Sequence, residues 1–267
     1  MNLNEQLHRI KKIMNSITNE EFTDYGDLSN WKQLKRDYRK DIQGDEERGT
    51  TKIKKKLGQD NLSSLMDDLK TTFDINKIKY VGRGAHGLAF QVDNNRIIKI
   101  TNDKDEIAVI KRLFNIQNDI EDTIDLDREI PGVINFYKLK YYPNYDFYAI
   151  LMDKANPLPF EEKKVYDVIH QEMGSYTDSP FWDEFDDEDD DVRDELLDRI
   201  NDELNQFNID ISYSEIIDYI EKYRELLILL DDNNISTQDL HGGNIGEING
   251  ELVHYDVMDY LNTEDEV

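Results

Sequence analysis

A glycine run between two predicted strands constrains the fold of this chain more than any other feature. Two short apolar segments, Ile78–Val81 and Leu88–Val92, flank the run Gly82-Arg-Gly-Ala-His-Gly87. The triplet Asp93-Asn-Asn95 then predicts a turn, and Arg96–Ile100 predicts a third strand. The glycines therefore lie between antiparallel strands and do not open a helix, which argues against a Rossmann dinucleotide fingerprint.

A glycine hairpin of this kind is suited to lie over the phosphates of a nucleotide. The absence of side chains lets backbone N–H groups approach the ligand. Gly82, Gly84 and Gly87 are the candidates for that contact. Three glycines in a hairpin also fit a plain flexible turn, so the hairpin by itself decides little.

The next polar residue of interest is Lys99, which stands in the otherwise apolar run Ile97–Ile100. A lysine that faces the interior of a sheet is costly unless it is paired. A helix is predicted from about Asn102 to Asn115, and Glu106 in its first turn could pair with Lys99. The alternative is that Glu106 only caps the helix or interacts with its dipole.

A second set of polar residues follows a long apolar helix. The glycine-bearing turn Ser236–Gly246 carries Asp239 and Asn244, and the predicted strand Glu251–Tyr255 leads to Asp256. Together these residues supply one candidate base and two oxygen ligands for a hard cation such as Mg²⁺. Phosphoryl transfer needs such parts, because it depends on positioning and charge neutralisation.

Hydrophobic periodicity predicts the remaining elements. These are a helix at Leu62–Phe73, strands at Gly132–Leu139 and Phe147–Met152, an extended connector at Asp153–Pro159, and helices at 160–175, Val192–Phe207 and Tyr213–Leu230.

Composition excludes several classes of protein. The 267 residues include no cysteine, which excludes disulfides, thiolate metal sites and cysteine nucleophiles. The chain has no apolar run of eighteen residues and no apolar signal core near its start, so we expect a cytoplasmic protein. The net charge of -27 argues against nucleic acid and anionic membrane as partners.

The order of these features resembles the protein-kinase-like superfamily. The stretch Asp239-Leu-His-Gly-Gly-Asn244 is similar to the catalytic loop of the aminoglycoside-phosphotransferase and atypical-kinase branch, where an Asp-Leu-His-x-x-Asn form is common. The resemblance spans roughly Ile75 to Tyr260. It implies an α+β bilobal fold with a small antiparallel-sheet lobe at 75–155, a reduced, mainly helical lobe at 156–267 and a helical or partly disordered extension at 1–74.

The resemblance implies a nucleotide site for ATP in the small lobe. The glycine hairpin would cover the phosphates, and Lys99, held by Glu106, would neutralise the α- and β-phosphates. Met152 would stand at the back of the adenine pocket. The backbones of Asp153 and Ala155 would hydrogen-bond the adenine edge.

The resemblance also implies roles for the polar residues of the second lobe. Asn244 and Asp256 would bind Mg²⁺, and Asp239 would accept or orient the proton of the attacking hydroxyl. His241 would either contact the transferring phosphoryl group or hold the loop by a hydrogen bond. The sequence leaves these two roles open.

The chain departs from the family pattern in three places. Thr237 stands where the family often has His or Tyr, and Asp256-Val-Met stands where protein kinases read Asp-Phe-Gly. The sequence ends eleven residues after Asp256, before any helices that would seat a peptide substrate. A protein partner could then complete the large lobe.

Two classes of function follow from these residues. The first is an ATP-dependent phosphotransferase that acts on a hydroxyl of a protein or a small molecule, with nucleotidyl transfer as a variant of the same chemistry. The alternative is a pseudokinase or regulatory scaffold that binds nucleotide or a partner without catalysis.

Overall fold

The computed structural model describes residues 64–83, 87–174, 182, 185, 190–238 and 240–257. Five helices lie in these ranges: α1 (64–73), α2 (Lys104–Leu113), α3 (Phe160–Met173), α4 (Asp190–Gln206) and α5 (Tyr213–Asp232). The same ranges contain nine strands: β1 (Lys79–Arg83), β2 (Gly87–Gln91), β3 (Arg96–Thr101), β4 (Ile124–Asp125), β5 (Phe136–Tyr142), β6 (Phe147–Asp153), β7 (Asn156–Pro157), β8 (Ile245–Ile248) and β9 (Glu251–His254).

The first lobe is built on a six-stranded antiparallel sheet in the order β1-β2-β3-β6-β5-β4. The turn between β2 and β3 forms because the Asp93 carboxylate accepts hydrogen bonds from the N–H groups of Asn95 and Arg96, at 2.9 and 2.8 Å. A short polar side chain that bonds the backbone two residues on is typical of such turns. The predicted arrangement of three strands around the glycine run is confirmed.

The alternation along β3 assigns its side chains to the two faces of the sheet. Ile98 and Ile100 are buried in one cluster with the apolar residues of α1. Ile97, on the opposite face, packs against the cluster that contains α2, and Lys99 shares that face with it. Each face of β3 is thus covered by a different helix, and the lysine is directed towards α2.

The N-terminus of α2 is capped by Asp103, whose carboxylate accepts hydrogen bonds from the N–H groups of Asp105 and Glu106. This satisfies backbone donors that a helix start leaves unpaired. Because Asp103 performs the capping, the side chain of Glu106 is left for another contact, and it turns into the core. The reading in which Glu106 serves only as a cap is wrong.

The second lobe is mainly helical and is organised by α5. A capping box starts that helix, since the Ser212 hydroxyl accepts from the Glu215 N–H and the Glu215 carboxylate accepts from the Ser212 N–H. Its buried side chains lie at helical spacing: Ile216, Ile220, Tyr223, Leu226, Leu227 and Leu230. The three-stranded sheet β7-β8-β9 lies beside the helices and joins the connector to the end of the described chain.

The hairpin between β8 and β9 turns at Asn249 and Gly250, whose φ angles are 54° and 90°. Such positive angles at an Asn-Gly pair are those of a type I′ turn, which fits the twist of two-residue hairpins. The resulting register pairs Ile245 with His254. It therefore brings the residues before β8 next to those after β9.

One strand begins later than its sequence predicts. The prediction started it at Gly132, but β5 begins at Phe136. The backbone before β5 pairs with β9 instead: the His254 N–H donates to the Gly132 carbonyl at 2.8 Å, and the Ile134 N–H donates to the His254 carbonyl at 3.1 Å. This pairing between distant segments connects the two lobes at His254, two residues before Asp256.

The α+β class, with an antiparallel-sheet lobe and a mainly helical lobe, is confirmed. Most of the predicted extension at 1–74 lies outside the described residues, but its last part, α1, packs against the sheet. Among the described helices, none combines the length and the apolar character needed to cross a membrane.

Candidate functional site

A cavity of about 350 Å³ opens between the sheet and the connector that follows β6. Its walls are mostly apolar, its polar end carries the ion pair of Lys99 and Asp256, and Lys154 is the third charged residue of the lining. The apolar lining includes Val81, Leu88, Ala89, Ile97, Ile134 and Met152. A cavity of this size, mostly apolar and with a charged end, suits a ligand that has one apolar part and one anionic part.

Two of the three residues predicted to contact adenine line this cavity. Met152 and Ala155 line it, whereas Asp153 does not. The Asp153 carboxylate accepts hydrogen bonds from Tyr137 and Asn135, at 2.6 and 2.9 Å, and the Asp153 N–H donates to the Asn135 carbonyl at 2.9 Å. The Asp153 side chain and N–H thus bond within the protein, and the hydrogen bonds from the backbones of Asp153 and Ala155 to adenine stay a prediction.

Lys99 bridges two carboxylates at the polar end of the cavity. Its Nζ lies 2.7 Å from Oε1 of Glu106 and 2.6 Å from Oδ1 of Asp256. Burial alone would lower the pKa of Lys99, but the two carboxylates outweigh it and raise that pKa above its ordinary value. Lys99 is therefore a fixed cation at neutral pH.

Glu106 contributes a carboxylate with 0 % of its side chain exposed. Burial raises the pKa of Glu106, Lys99 lowers it, and Asp256 raises it again, so the net direction is upward. Lys99 favours the charged form of Glu106, and a hydrogen bond with the Thr101 side chain acts in the same direction. The pairing predicted from the sequence is present in the structure.

Asp256 and Asn244 come together through the hairpin of β8 and β9. The Tyr255 N–H donates to the Asn244 carbonyl at 3.1 Å, which extends the ladder by one pair and places Asn244 opposite the residue before Asp256. The Asp256 side chain is 27 % exposed and faces the cavity.

Asn244 and Asp256 are the predicted ligands of a magnesium ion that would arrive with a nucleotide. Among the described residues there is no group of three or more His, Asp or Glu side chains that could hold a metal by themselves. Mg²⁺ in nucleotide sites commonly takes one or two carboxylates, with phosphate oxygens and water as its other ligands. One carboxylate and one amide oxygen agree with that pattern.

The turn before Asn244 is held by tyrosines from both sides. The Tyr223 hydroxyl of α5 donates to the Leu240 carbonyl at 3.2 Å and lies 2.7 Å from Nδ1 of His170. The Tyr255 hydroxyl donates to the Gly243 carbonyl. The backbone around the predicted catalytic stretch is therefore fixed to the large lobe and to the end of β9.

His241 takes part in the loop itself. Its Nδ1 accepts a hydrogen bond from the Gly243 N–H at 2.9 Å, and the Asn244 N–H donates to the His241 carbonyl at 2.8 Å. A ring nitrogen that accepts carries no proton, so a neutral His241 has its proton on Nε2. The sequence left two roles open for His241, and this geometry favours the one in which it holds the loop by a hydrogen bond.

Some predicted residues lie outside the described part of the chain. Asp239 and Gly84 are among them, and for Gly82 only the backbone is described, paired with Ala89. Their roles stay predictions. Gly87 lies at the cavity wall, where an added Cβ would stand 2.5 Å from the Ile100 carbonyl oxygen.

Sequence reasoning missed one titratable group beside the site, His254. The side chain is fully buried, and neither ring nitrogen has a hydrogen-bond partner among the described residues. Burial lowers the pKa of His254 to about 4, with Asp256 acting in the opposite direction. The imidazole is therefore neutral. The sequence signal that could have identified it is a histidine inside the otherwise mostly apolar predicted strand Glu251–Tyr255.

Comparisons with known proteins add little to this geometry. No protein-family model and no curated protein matches the chain. Among solved structures, the APH(2″)-IIa ternary complex with streptomycin and ATP matches with 13 % identity and a TM-score of 0.28, over 74 % of this chain and 72 % of that one. ADP-bound aminoglycoside phosphotransferase APH(2″)-Ib matches with 16 % identity and a TM-score of 0.27, over 74 % and 72 %.

The kinase domain of the maize sucrose-induced receptor kinase 1, bound to AMP-PNP, matches with 13 % identity and a TM-score of 0.30. That match covers 70 % of this chain and 52 % of the maize chain. TM-scores of 0.27 to 0.30 do not establish an activity for this chain.

Proposed function

We propose that this protein is a phosphotransferase that moves the γ-phosphoryl group of ATP to a hydroxyl group of a protein or a small molecule. One observation carries the proposal: Lys99 bridges Glu106 and Asp256 at the polar end of an apolar cavity. A cation held at that point is suited to neutralise the charge of a polyphosphate whose base occupies the apolar part.

In the proposed reaction the acceptor oxygen forms a bond to the γ-phosphorus, while the bond from that phosphorus to the β–γ bridging oxygen breaks. The acceptor proton passes to Asp239, and ADP leaves with the electron pair of the broken bond. Lys99 neutralises the α- and β-phosphates, and Glu106 holds the Lys99 ammonium in place.

Asn244 and Asp256 would hold Mg²⁺ with the nucleotide, and the ion would supply charge neutralisation at the phosphate oxygens. The contact between Asp256 and Lys99 already places the carboxylate at the same end of the cavity as the lysine. The sequence position of Asp239, five residues before Asn244 on the same turn, supports its role as the base.

The test is release or transfer of labelled phosphate by the purified chain. With γ-labelled ATP and Mg²⁺ the wild type should release or transfer the label, and Asp239→Asn should lose that activity while it still binds ATP. Label transferred from α-labelled ATP would instead indicate nucleotidyl transfer.

A scaffold that binds nucleotide without catalysis gives a different pattern. In that case the wild type and Asp239→Asn bind ATP equally, and neither releases label above the rate of ATP alone. That result would refute the phosphotransferase.

A further inference from the structure

Gly242, in the predicted catalytic stretch, lies against α3. A Cβ placed on Gly242 would stand 2.1 Å from the carbonyl oxygen of Lys163 and 2.7 Å from its Cα. Real Cβ atoms do not come so close to backbone, so only glycine permits this contact. The backbone of the turn therefore rests directly on the backbone of the helix.

Next to this contact, α3 provides a hydrogen-bond acceptor for the turn. Oδ1 of Asp167 accepts a hydrogen bond from the Gly242 N–H at 2.9 Å. The other carboxylate oxygen, Oδ2, accepts from Nζ of Lys164 at 2.8 Å, which orients the group. Nδ1 of His241 lies 3.9 Å from Oδ1, too far for a hydrogen bond.

The location of Gly242 makes this bond relevant to catalysis. Gly242 lies three residues after Asp239 and two residues before Asn244 on the same turn. A backbone fixed at Gly242 limits how far Asn244, two residues on, can move from its working position. Shifts of about 1 Å in a reacting group can cost about a hundredfold in rate.

We infer that Asp167 is a positioning residue, which fixes the backbone at Gly242 through the Gly242 N–H and so holds the proposed metal ligand Asn244 in place. The inference rests on the proposed function for its catalytic consequence. The hydrogen bond to the backbone is independent of that function and has its own measurement.

Two variants of Asp167 separate the hydrogen bond from the charge. Asp167→Ala removes the acceptor, whereas Asp167→Asn keeps an oxygen that can accept from Gly242 and removes the negative charge. The side chain is 32 % exposed, so both variants should fold. Glu161→Ala, which removes an exposed carboxylate from the same helix, is the matched control.

The first measurement is amide hydrogen exchange of a peptide that covers 236–246, without nucleotide. Asp167→Ala should raise its exchange rate about tenfold, and Asp167→Asn and Glu161→Ala should match the wild type. An unchanged rate in Asp167→Ala would overturn the inference. Equal acceleration in Asp167→Asn would overturn it too, because charge and not the hydrogen bond would then hold the turn.

The second measurement is turnover of γ-labelled ATP, with the affinity for ATP measured in parallel. Asp167→Ala should lower kcat about tenfold or more with an unchanged Kd for ATP, and Asp167→Asn should restore kcat. Wild-type kcat in Asp167→Ala would overturn the positioning role. If the wild type shows no turnover, the proposed function fails, and the exchange rates alone decide whether Asp167 fixes the turn.

Discussion

Replacement of Lys99 by Met should destabilise the fold strongly and in a pH-dependent way. The substitution removes the cation that lies 2.7 Å from Glu106 and 2.6 Å from Asp256. Asp256 is 27 % exposed and can take up water, but Glu106 is 0 % exposed and cannot. Breaking a buried ion pair at one partner costs about 3–5 kcal/mol, so we expect a fall in Tm of about 10 °C.

The pH dependence follows from the protonation of Glu106 once Lys99 is removed. Burial already raises the pKa of Glu106, and Lys99 is the charged group that opposes this rise, with a smaller contribution from a hydrogen bond with Thr101. Without Lys99 the folded-state pKa rises further above the unfolded value, and the protonated, uncharged form then fits the core. Stability from a raised pKa is present at low pH and is lost as pH rises. Lys99→Met should therefore lose more stability at pH 8 than at pH 5.5.

Urea unfolding followed by circular dichroism at these two pH values measures the effect. The double variant Lys99→Met/Glu106→Gln is the control, because it removes the buried charge together with its partner. We expect the double variant to recover most of the lost free energy of unfolding at pH 8 and to show little pH dependence from this site. A Lys99→Met protein as stable as the wild type at pH 8, or a double variant with no recovery, would refute the reasoning.

Three further predictions concern the cavity and its surroundings. Gly87→Ala places a Cβ 2.5 Å from the Ile100 carbonyl oxygen, so the pairing of β2 with β3 must shift; we expect a lower Tm by calorimetry and weaker ATP binding. Ala89→Leu adds bulk to the cavity wall and should raise the Kd for ATP about tenfold by titration calorimetry, with Tm unchanged when no ATP is present. His254 has a folded-state pKa of about 4 against 6.5, so its contribution to stability is present above pH 6.5 and is lost as pH falls towards 4. The wild type should lose about 3 kcal/mol more than His254→Leu between pH 7 and pH 4, and equal losses in urea unfolding would contradict the assignment.

The strands and helices of the first lobe could be predicted because their signals are local. Each of these signals extends over a few residues: the alternation of side chains between the two faces in β2 and β3, the turn at Asp93 and the helix cap at Asp103. The ordered set of glycine hairpin, Lys99 and Glu106 then predicted an ion pair that the structure contains. Period-two alternation shows that Lys99 and Ile98 lie on opposite faces, but it does not show which helix covers each face.

The rest of the site depends on contacts between distant parts of the chain. The pairing of β9 with the backbone at Gly132, which displaces the start of β5, joins segments more than a hundred residues apart. The contact between Asp167 and Gly242 is of the same kind, since it needs the packing of α3 on the turn. Nothing in the local pattern around Asp167 distinguishes it from an ordinary solvated carboxylate.

The most direct test of a magnesium–nucleotide site at Lys99 and Asp256 is titration calorimetry of ATP with and without Mg²⁺, on the wild type and on Asp256→Asn. The wild type should bind one ATP per chain, and Mg²⁺ should tighten that binding. Asp256→Asn should keep the fold and lose most of the effect of Mg²⁺. No binding to the wild type at millimolar ATP, or an effect of Mg²⁺ that is unchanged in Asp256→Asn, would contradict the site.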